Sequence, residues 1–140
     1  MTSLRGPVLI VEDDPDIRES LQSYLELHGY SVRAASHGKE ALELLGKTPR
    51  PAVMVLDMTL PVMDGHRVLT TRKGDDVLRQ VPVIILSAAM AGMSPRDRAL
   101  YAASYGVAAF LGKPSDPQQL LEAVERHGLR TEGSSAGAPG

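Results

Sequence analysis

The sequence predicts an α/β fold, a doubly wound parallel sheet of five strands flanked by five helices. Two observations predict it: short apolar runs rich in Val and Ile recur along the 140 residues, and helical patterns separate these runs. An apolar run of about four to eight residues is typical of a strand buried on both faces, as in a parallel sheet. Strands that alternate with helices form right-handed crossovers, which place helices on both faces of the sheet.

The predicted strands are aliphatic and carry little charge. Four of them are continuous apolar runs, at Val8–Val11, Ala52–Leu56, Val83–Leu86 and Val107–Leu111. The fifth, Ser31–Ala35, alternates polar and apolar residues, a pattern typical of a half-exposed strand. We therefore place Ser31–Ala35 at an edge of the sheet.

The helices are predicted from apolar residues at spacings of three and four and from residue types that favour helix ends. The second helix is predicted from a short apolar pattern around Leu42. The third, around Val68 and Leu69, is expected to be short. A polar N-cap followed by proline begins three helices, and glycine ends three. The N-cap pairs are Asp14-Pro15, Ser94-Pro95 and Asp116-Pro117, and the glycines are Gly46, Gly106 and Gly128.

Composition excludes several classes of protein. The chain has no cysteine, which excludes disulfides, thiolate metal sites and a cysteine nucleophile. A net charge of −2 argues against a basic nucleic-acid-binding module. No apolar stretch approaches the roughly 20 residues that span a bilayer, and the first residues lack the apolar core of a signal peptide. We expect a cytoplasmic protein with no direct contact to nucleic acid or membrane.

A single domain is expected over residues 1–127, followed by a flexible tail. Residues 128–140 are rich in Gly, Ser, Ala and Pro, a composition that buries too little apolar surface to fold.

Acidic and polar residues follow the predicted strands at the point where each strand ends. They are Glu12, Asp13 and Asp14 after the first strand, Asp57 after the third, Ser87 after the fourth and Lys113 after the fifth. In open α/β sheets, functional residues lie at this edge. One lysine does not offset several carboxylates, so either their pKa values rise or a divalent cation joins them. Oxygen ligands without His or Cys favour Mg²⁺, and a nearby lysine and hydroxyl suit a phosphoryl group.

Four segments carry a resemblance to a known family. They are Val11–Asp14 (VEDD), Leu56–Gly65 (LDMTLPVMDG), Leu86–Ala88 (LSA) and Gly112–Pro114 (GKP). In this order and spacing they resemble the motifs of response regulator receiver domains, over about residues 6–127. The resemblance implies a CheY-like, flavodoxin-like sheet with the strand order 2-1-3-4-5, and it implies that residues 1–127 form the receiver domain.

The resemblance also implies a role for each matching residue. Asp57 is expected to be the phospho-acceptor, a carboxylate that attacks phosphorus. Asp13, Asp57 and the backbone carbonyl of Thr59 are expected to hold Mg²⁺, and Glu12 to act through metal-bound water. Pro61 and Gly65 are expected to stiffen and turn the loop that carries Thr59. These two are further members of the Leu56–Gly65 motif.

Ser87 and Lys113 are expected to contact the phosphoryl oxygens, with Lys113-Pro114 as a cis peptide. On phosphorylation Ser87 would move toward the new charge and vacate volume that Phe110 can enter. Many family members have tyrosine at the position of Phe110. We therefore hypothesise a switch driven by packing alone, which alters the surface of helix four, strand five and helix five.

The function implied is a phosphorylation-switched signalling module that receives its phosphoryl group from a histidine kinase or phosphotransfer protein. It would catalyse only its own phosphorylation and slow dephosphorylation, and would act on a downstream protein through the face of helix four, strand five and helix five. A phosphorylation-dependent homodimer is a further expectation. A single-domain regulator is preferred, and a receiver excised from a longer regulator is the alternative.

Three other functions are weighed against this one. A pseudo-receiver regulated without phosphate is disfavoured by the intact set of Asp13, Asp57, Ser87 and Lys113. A phosphohydrolase is disfavoured because Thr59 stands where such an enzyme has a second acid. A flavodoxin-like electron carrier is disfavoured because three acids after the first strand would repel a flavin phosphate.

Some residues have a purely structural interpretation beside the functional one. Asp14 is expected to be an N-cap rather than a ligand, and Glu12 could be a solvated acid. Met54 and Met58 are assigned to the core. The tyrosines Tyr101 and Tyr105 either form a partner-binding stripe or pack against the fifth helix. The four histidines, which show no metal-like pairing, are assigned to the surface and are His28, His37, His66 and His127.

Overall fold

The structure, a computed structural model, describes residues 5–47, 49–57, 62–87, 93–113 and 116–128. It contains one sheet of five parallel strands in the order β2-β1-β3-β4-β5. The predicted order is therefore confirmed, as is the position of β2 at an edge. The strands are β1 (Arg5–Val11), β2 (Tyr30–Ala35), β3 (Val53–Asp57), β4 (Val83–Leu86) and β5 (Val107–Leu111).

Five helices connect and follow these strands, as predicted. They are α1 (Pro15–Leu27), α2 (Gly38–Leu45), α3 (Val62–Lys73), α4 (Pro95–Tyr105) and α5 (Pro117–His127), with a short 3-10 helix at Leu78–Gln80. The three predicted N-caps are confirmed, because each side chain accepts a hydrogen bond from an amide of the first turn, at 2.9–3.1 Å. None of these helices, within the described part of the chain, has the length and apolar character needed to cross a membrane.

Helix α3 is present as predicted but is longer than the short helix expected, because it has 12 residues. Val68 and Leu69 are its buried hydrophobic residues among the side chains that the structure describes, and the four residues after them are polar or charged, so its apolar pattern is weak. Its last turn is fixed instead by polar contacts to distant main chain. Gly65 lies within α3 and is buried, so the expectation that it turns the preceding loop is wrong.

Arg72, in the last turn of α3, is a buried cation with 3% exposure. Its guanidinium donates hydrogen bonds to four main-chain carbonyls, those of Val81 (2.9 Å), Arg79 (3.1 Å), Tyr105 (2.8 Å) and Gly106 (3.2 Å). Lys73 adds a hydrogen bond to the carbonyl of Ser104. The last turn of α3 thus holds the C-terminus of α4 at the amino edge of the sheet, where β4 and β5 begin.

Strand residues alternate between two apolar layers, as expected for a sheet covered on both faces. Val8 and Ile10 of β1 pack with α1 and α5, whereas Leu9 and Val11 pack with α2, α3 and α4. Met54 is fully buried, which confirms its assignment to the core. Met58 lies outside the described residues.

Because α4 and α5 lie on opposite faces of the sheet, the interpretation that Tyr101 and Tyr105 pack against the fifth helix is wrong. The ring of Tyr101 instead contacts Phe110 of β5, with centroids 6.1 Å apart. The hydroxyl of Tyr105 lies 2.9 Å from Nε2 of His66 on α3.

Helix α5 ends at Gly128, which supplies its C-cap. Residues 129–140 lie outside the described residues, so the flexible tail stays a prediction.

Candidate functional site

The polar residues singled out from the sequence meet at the carboxyl edge of the sheet. Asp57 is the last residue of β3, and Glu12 directly follows β1. Ser87 follows β4, and its amide donates to the carbonyl of Leu111 at 3.0 Å. Lys113 lies two residues beyond β5. Parallel pairing therefore places residues separated by up to 101 positions at one edge.

Lys113 pairs with two carboxylates at once. Its Nζ lies 3.0 Å from Oδ2 of Asp57 and 3.1 Å from Oε1 of Glu12. The carboxylates are almost inaccessible, since Asp57 is 0% exposed and Glu12 is 1% exposed. Buried charges persist in proteins only when they are paired or bind a metal ion.

Asp13 completes a cluster of three acids. One carboxylate oxygen from each of Glu12, Asp13 and Asp57 lies within 4.8 Å of the other two. In the part of the chain that the structure describes, this is the only group of three or more acidic, His or Cys side chains with such spacing. A set of oxygen donors with two buried members and one exposed member suits a hard divalent cation such as Mg²⁺.

The electrostatics of the cluster support that fit. Burial, together with a hydrogen bond to Asp57, raises the pKa of Glu12 from 4.5 to about 7, although the hydrogen bond from Lys113 opposes the shift. Burial alone would lower the pKa of Lys113, but its hydrogen bonds to Asp57 and Glu12 outweigh that effect and raise it. The interpretation of Glu12 as a solvated acid is therefore wrong.

The loop between β1 and α1 is held by several hydrogen bonds. The amide of Glu12 donates to the carbonyl of Ala35 at 3.0 Å, and Oε2 of Glu12 accepts from the amide of Asp14 at 3.3 Å. The side chain of Asp14 caps α1, which confirms its structural interpretation. Arg18 of α1 donates to the carbonyl of Glu12 at 2.9 Å. Arg18 was not predicted from the sequence. It could have been found as a cationic residue four positions, about one helical turn, after the N-cap Asp14.

Ser87 and Phe110 lie on the same face of neighbouring strands. Ser87 is buried and follows Ile85 by two positions, and Ile85 is the register partner of Phe110. Phe110 is half-buried, and its ring meets Tyr101 edge-on at 64°. A volume change at Ser87 would thus occur on the face where Phe110 packs.

Some predicted site residues cannot be placed. The carbonyl of Thr59, the expected turn at Pro61 and the expected cis peptide at Pro114 lie outside the described residues. The four histidines, three exposed and one half-buried, belong to no metal cluster among the described residues: His28, His37, His66 and His127.

Comparison with known proteins identifies the family. The profile of the response regulator receiver domain matches residues 8–125. Response regulator Rre1 of Synechocystis is 36% identical over 132 residues, which are 94% of this chain and 54% of that protein. The transcriptional regulatory protein PrrA of Mycobacterium tuberculosis is 37% identical over 136 residues, 96% of this chain and 55% of that protein. The chain thus spans about half the length of these curated relatives.

Solved structures agree with the sequence comparison. Chemotaxis protein CheY4 of Vibrio cholerae superposes with a TM-score of 0.76 at 27% identity, and the match covers 89% of this chain and 99% of CheY4. The receiver domain of a histidine kinase from Syntrophus aciditrophicus is 35% identical with a TM-score of 0.71, over 86% of this chain and 88% of that domain. With the family profile, the relatives and the acidic edge in agreement, the chain belongs to the response regulator receiver domain family.

Proposed function

We propose that Asp57 is the phospho-acceptor of this receiver domain. The observation that carries the proposal is the contact of Lys113 with both Asp57 and Glu12 at the carboxyl edge of the sheet. Asp57 is buried but adjoins the exposed Asp13, so its carboxylate lies just beneath the surface. We propose that the donor phosphoryl group approaches Asp57 from the side of Asp13.

Asp13 and Asp57 would hold Mg²⁺ directly, and Glu12 would contact it through water. The carbonyl of Thr59 is proposed as a further ligand. When bound, Mg²⁺ supplies positive charge that neutralises the phosphoryl oxygens during transfer. Glu12 and Lys113 then fix the orientation of the Asp57 carboxylate, because both residues hydrogen-bond within the same cluster.

The transfer is a displacement at phosphorus. A carboxylate oxygen of Asp57 attacks the phosphorus of a phosphohistidine, the N–P bond breaks, and its electron pair stays on the imidazole, which takes up a proton. Lys113 and the hydroxyl of Ser87 are proposed to donate to the phosphoryl oxygens. Dephosphorylation is a separate displacement: a water oxygen attacks phosphorus, the Asp57 O–P bond breaks with its electron pair returning to the Asp57 carboxylate, and inorganic phosphate leaves after the attacking water gives up a proton. No external metabolite is turned over.

The switch follows from the volume that Ser87 vacates when it moves toward the phosphoryl group. Phe110, on the same face, would rotate into this space. Since Phe110 has no hydroxyl, packing alone would stabilise the phosphorylated state. Its ring contacts Tyr101, so the change would reach the surface formed by α4, β5 and α5.

The partners are proposed from the family. A cytoplasmic histidine kinase or phosphotransfer protein would supply the phosphoryl group, and a downstream protein or a second copy of the chain would bind the surface of α4, β5 and α5. Relatives of about twice the length include transcriptional regulatory proteins, which supports an output of that class for a longer regulator containing this domain. Residues 128–140 would then act as the flexible segment that follows the domain.

The proposal is tested with Mg²⁺ and acetyl phosphate as the phosphodonor. Intact mass should rise by one phosphoryl group in the wild-type chain and should not rise in Asp57→Asn. Asp76→Asn is the matched control, because Asp76 is an exposed aspartate outside the cluster, and it should gain the group normally. No gain in the wild type would favour a pseudo-receiver, and continuous phosphate release from many substrates would favour a hydrolase.

The switch has its own test. Beryllofluoride, which mimics a bound phosphoryl group, should shift the ring resonances of Phe110 and Tyr101. Unchanged ring resonances in a chain whose Asp57 amide does shift would show that the packing switch is wrong.

A further inference from the structure

Of the three acids in the cluster, Asp13 is held differently from the other two. Glu12 and Asp57 are buried, and each pairs with Lys113. Asp13 is exposed, and within the described residues no hydrogen bond or ion pair fixes its carboxylate. Its position therefore depends on the backbone that carries it.

The peptide group between Glu12 and Asp13 sets that backbone position. A peptide unit is planar, so the carbonyl oxygen of Glu12 and the Cα atom of Asp13 lie in one plane. A hydrogen bond that fixes the oxygen also fixes the direction in which Asp13 leaves the strand. Arg18 makes this bond, with its guanidinium nitrogen 2.9 Å from the carbonyl oxygen.

The charge of Arg18 also acts on a residue of the neighbouring helix α2. Arg18 lies on α1, is half-buried, and is close enough to α2 that its charge contributes to the environment of Glu40. Hydrogen bonds from Ser36, first that of its amide, hold the pKa of Glu40 below its usual value, and the charge of Arg18 adds to this in a smaller degree. Arg18 thus contacts the β1–α1 loop through its hydrogen bond to Glu12, and its charge acts on Glu40 of α2, which Ser36 holds through two hydrogen bonds.

We propose that Arg18 is a positioning residue for the metal site, which orients the Asp13 carboxylate through the carbonyl of Glu12. The proposal depends on the function proposed above, since it assumes that Asp13 binds Mg²⁺. Groups that orient metal ligands typically contribute about 10- to 100-fold in metal affinity. A change at Arg18 should therefore weaken Mg²⁺ binding without removing any ligand.

The test compares Arg18→Gln, Arg18→Lys and wild type by titration with MgCl₂, followed by amide NMR spectra and by calorimetry. Arg18→Gln should bind Mg²⁺ about 10-fold more weakly, at the lower end of that range. Arg18→Lys, which keeps a cationic donor, should recover part of the loss. In the metal-free state, the Asp13 amide should shift in Arg18→Gln, a readout independent of phosphorylation.

Arg33→Gln is the matched control. Arg33 also donates to main-chain carbonyls, those of Leu44 and Lys47, but at the C-terminal end of α2 and away from the acids. Its loss should leave Mg²⁺ affinity within about twofold of wild type, far below the effect of a group that orients a ligand. Equal losses in Arg18→Gln and Arg33→Gln would overturn the proposal, because the effect would then be one of general stability.

Phosphorylation rates distinguish two possible roles of Arg18, orientation of a metal ligand and contact with a partner protein. With acetyl phosphate at low Mg²⁺, Arg18→Gln should be phosphorylated more slowly, and saturating Mg²⁺ should restore most of the rate. Wild-type Mg²⁺ affinity in Arg18→Gln, with slower transfer only from a phosphorylated kinase, would overturn the proposal and make Arg18 a docking contact. If Arg18→Gln does not fold, Arg18→Lys decides by the same criteria.

The failure of this proposal is distinguishable from that of the proposed function. If wild type binds Mg²⁺ and Arg18→Gln binds it equally well, only the role of Arg18 is overturned. If wild type neither binds Mg²⁺ nor accepts a phosphoryl group, both are overturned.

Discussion

Two regions at opposite edges of the sheet contain buried charged side chains. The two regions differ in the groups that surround the charge. At the amino edge, Arg72 donates to four carbonyls, two of which belong to the C-terminal end of α4 and the glycine that follows it. The C-terminus of a helix carries partial negative charge, so these groups suit a cation. At the carboxyl edge, one ammonium faces two buried carboxylates and a third, exposed one.

The difference is that the charge of Arg72 is balanced within the fold, whereas the charge of the acidic cluster is not. The guanidinium of Arg72 satisfies most of its donors with main chain, and the carbonyls gain partners in return. The acidic cluster keeps an excess of negative charge that Lys113 does not neutralise, and part of that excess is relieved by the raised pKa of Glu12. Under the proposed function, Mg²⁺ would neutralise this remaining negative charge, and the site could then accept a phosphoryl group.

Replacing Arg72 should have the largest effect on stability. Arg72→Met keeps the apolar stem but removes the donor from one buried and three partly buried hydrogen bonds, and we expect the free energy of unfolding to fall by about 3 kcal/mol. Urea denaturation measures this loss. Arg79→Met is the control. Among the described residues the side chain of Arg79 makes an exposed ion pair with Asp76 and no other pairing, and the substitution keeps the Arg79 carbonyl, so stability should change by less than about 1 kcal/mol. A loss as small as that of the control would show that the carbonyls find water instead.

Replacing Glu12 should increase the free energy of unfolding, the opposite of the effect expected at Arg72. Because the folded state raises the pKa of Glu12 from 4.5 to about 7, ionised Glu12 destabilises the metal-free protein above pH 7, and this penalty disappears below about pH 4.5. Glu12→Gln should therefore stabilise the metal-free chain by up to about 3 kcal/mol at pH 8, and the gain should fade as the pH decreases toward 4.5.

Thermal unfolding of wild type and Glu12→Gln across this pH range, in the presence of a chelator, checks the prediction. Glu43→Gln, an exposed glutamate on α2, should show no such gain. A pH-independent difference between Glu12→Gln and wild type would contradict the assignment of the effect to the Glu12 charge.

The smallest effect is expected at Gly106, which ends α4 in a left-handed conformation with φ of 69°. In Gly106→Ala the new Cβ would meet Nη1 and Nη2 of Arg72 at 3.6 Å, an ordinary contact, so backbone strain is the main cost. We expect a loss of about 1 kcal/mol, without an effect on Mg²⁺ affinity. A much larger loss, or weaker Mg²⁺ binding, would show that the two edges of the sheet are coupled.

Sequence patterns predicted the features that local interactions determine. Asp14, Ser94 and Asp116 were identified as caps because a side chain and the amides that it accepts from are neighbours in sequence. The acidic edge was predicted because parallel strands bring their carboxyl ends together, whatever the intervening helices contain. The family motifs supplied the strand order.

What was missed depends on contacts between distant residues. The partners of Arg72 are main-chain carbonyls 7 to 34 positions away, and a carbonyl has no sequence signature. The buried carboxylate of Glu12 accepts a hydrogen bond from Lys113, 101 positions later. Helices α4 and α5 lie on opposite faces of the sheet. The apolar pattern of a helix does not indicate which face of the sheet it covers.

The distance in sequence between Glu12 and Lys113 also determines the order in which the two residues are synthesised. A ribosome adds Glu12, which follows β1, and Asp57, which ends β3, long before it adds the lysine that pairs with them. A nascent chain that ends at β4 therefore holds the carboxylates without their cation. Under the proposed function, competence to receive a phosphoryl group is acquired only when β5 joins the sheet, so a kinase phosphorylates only a domain whose five strands are all in place.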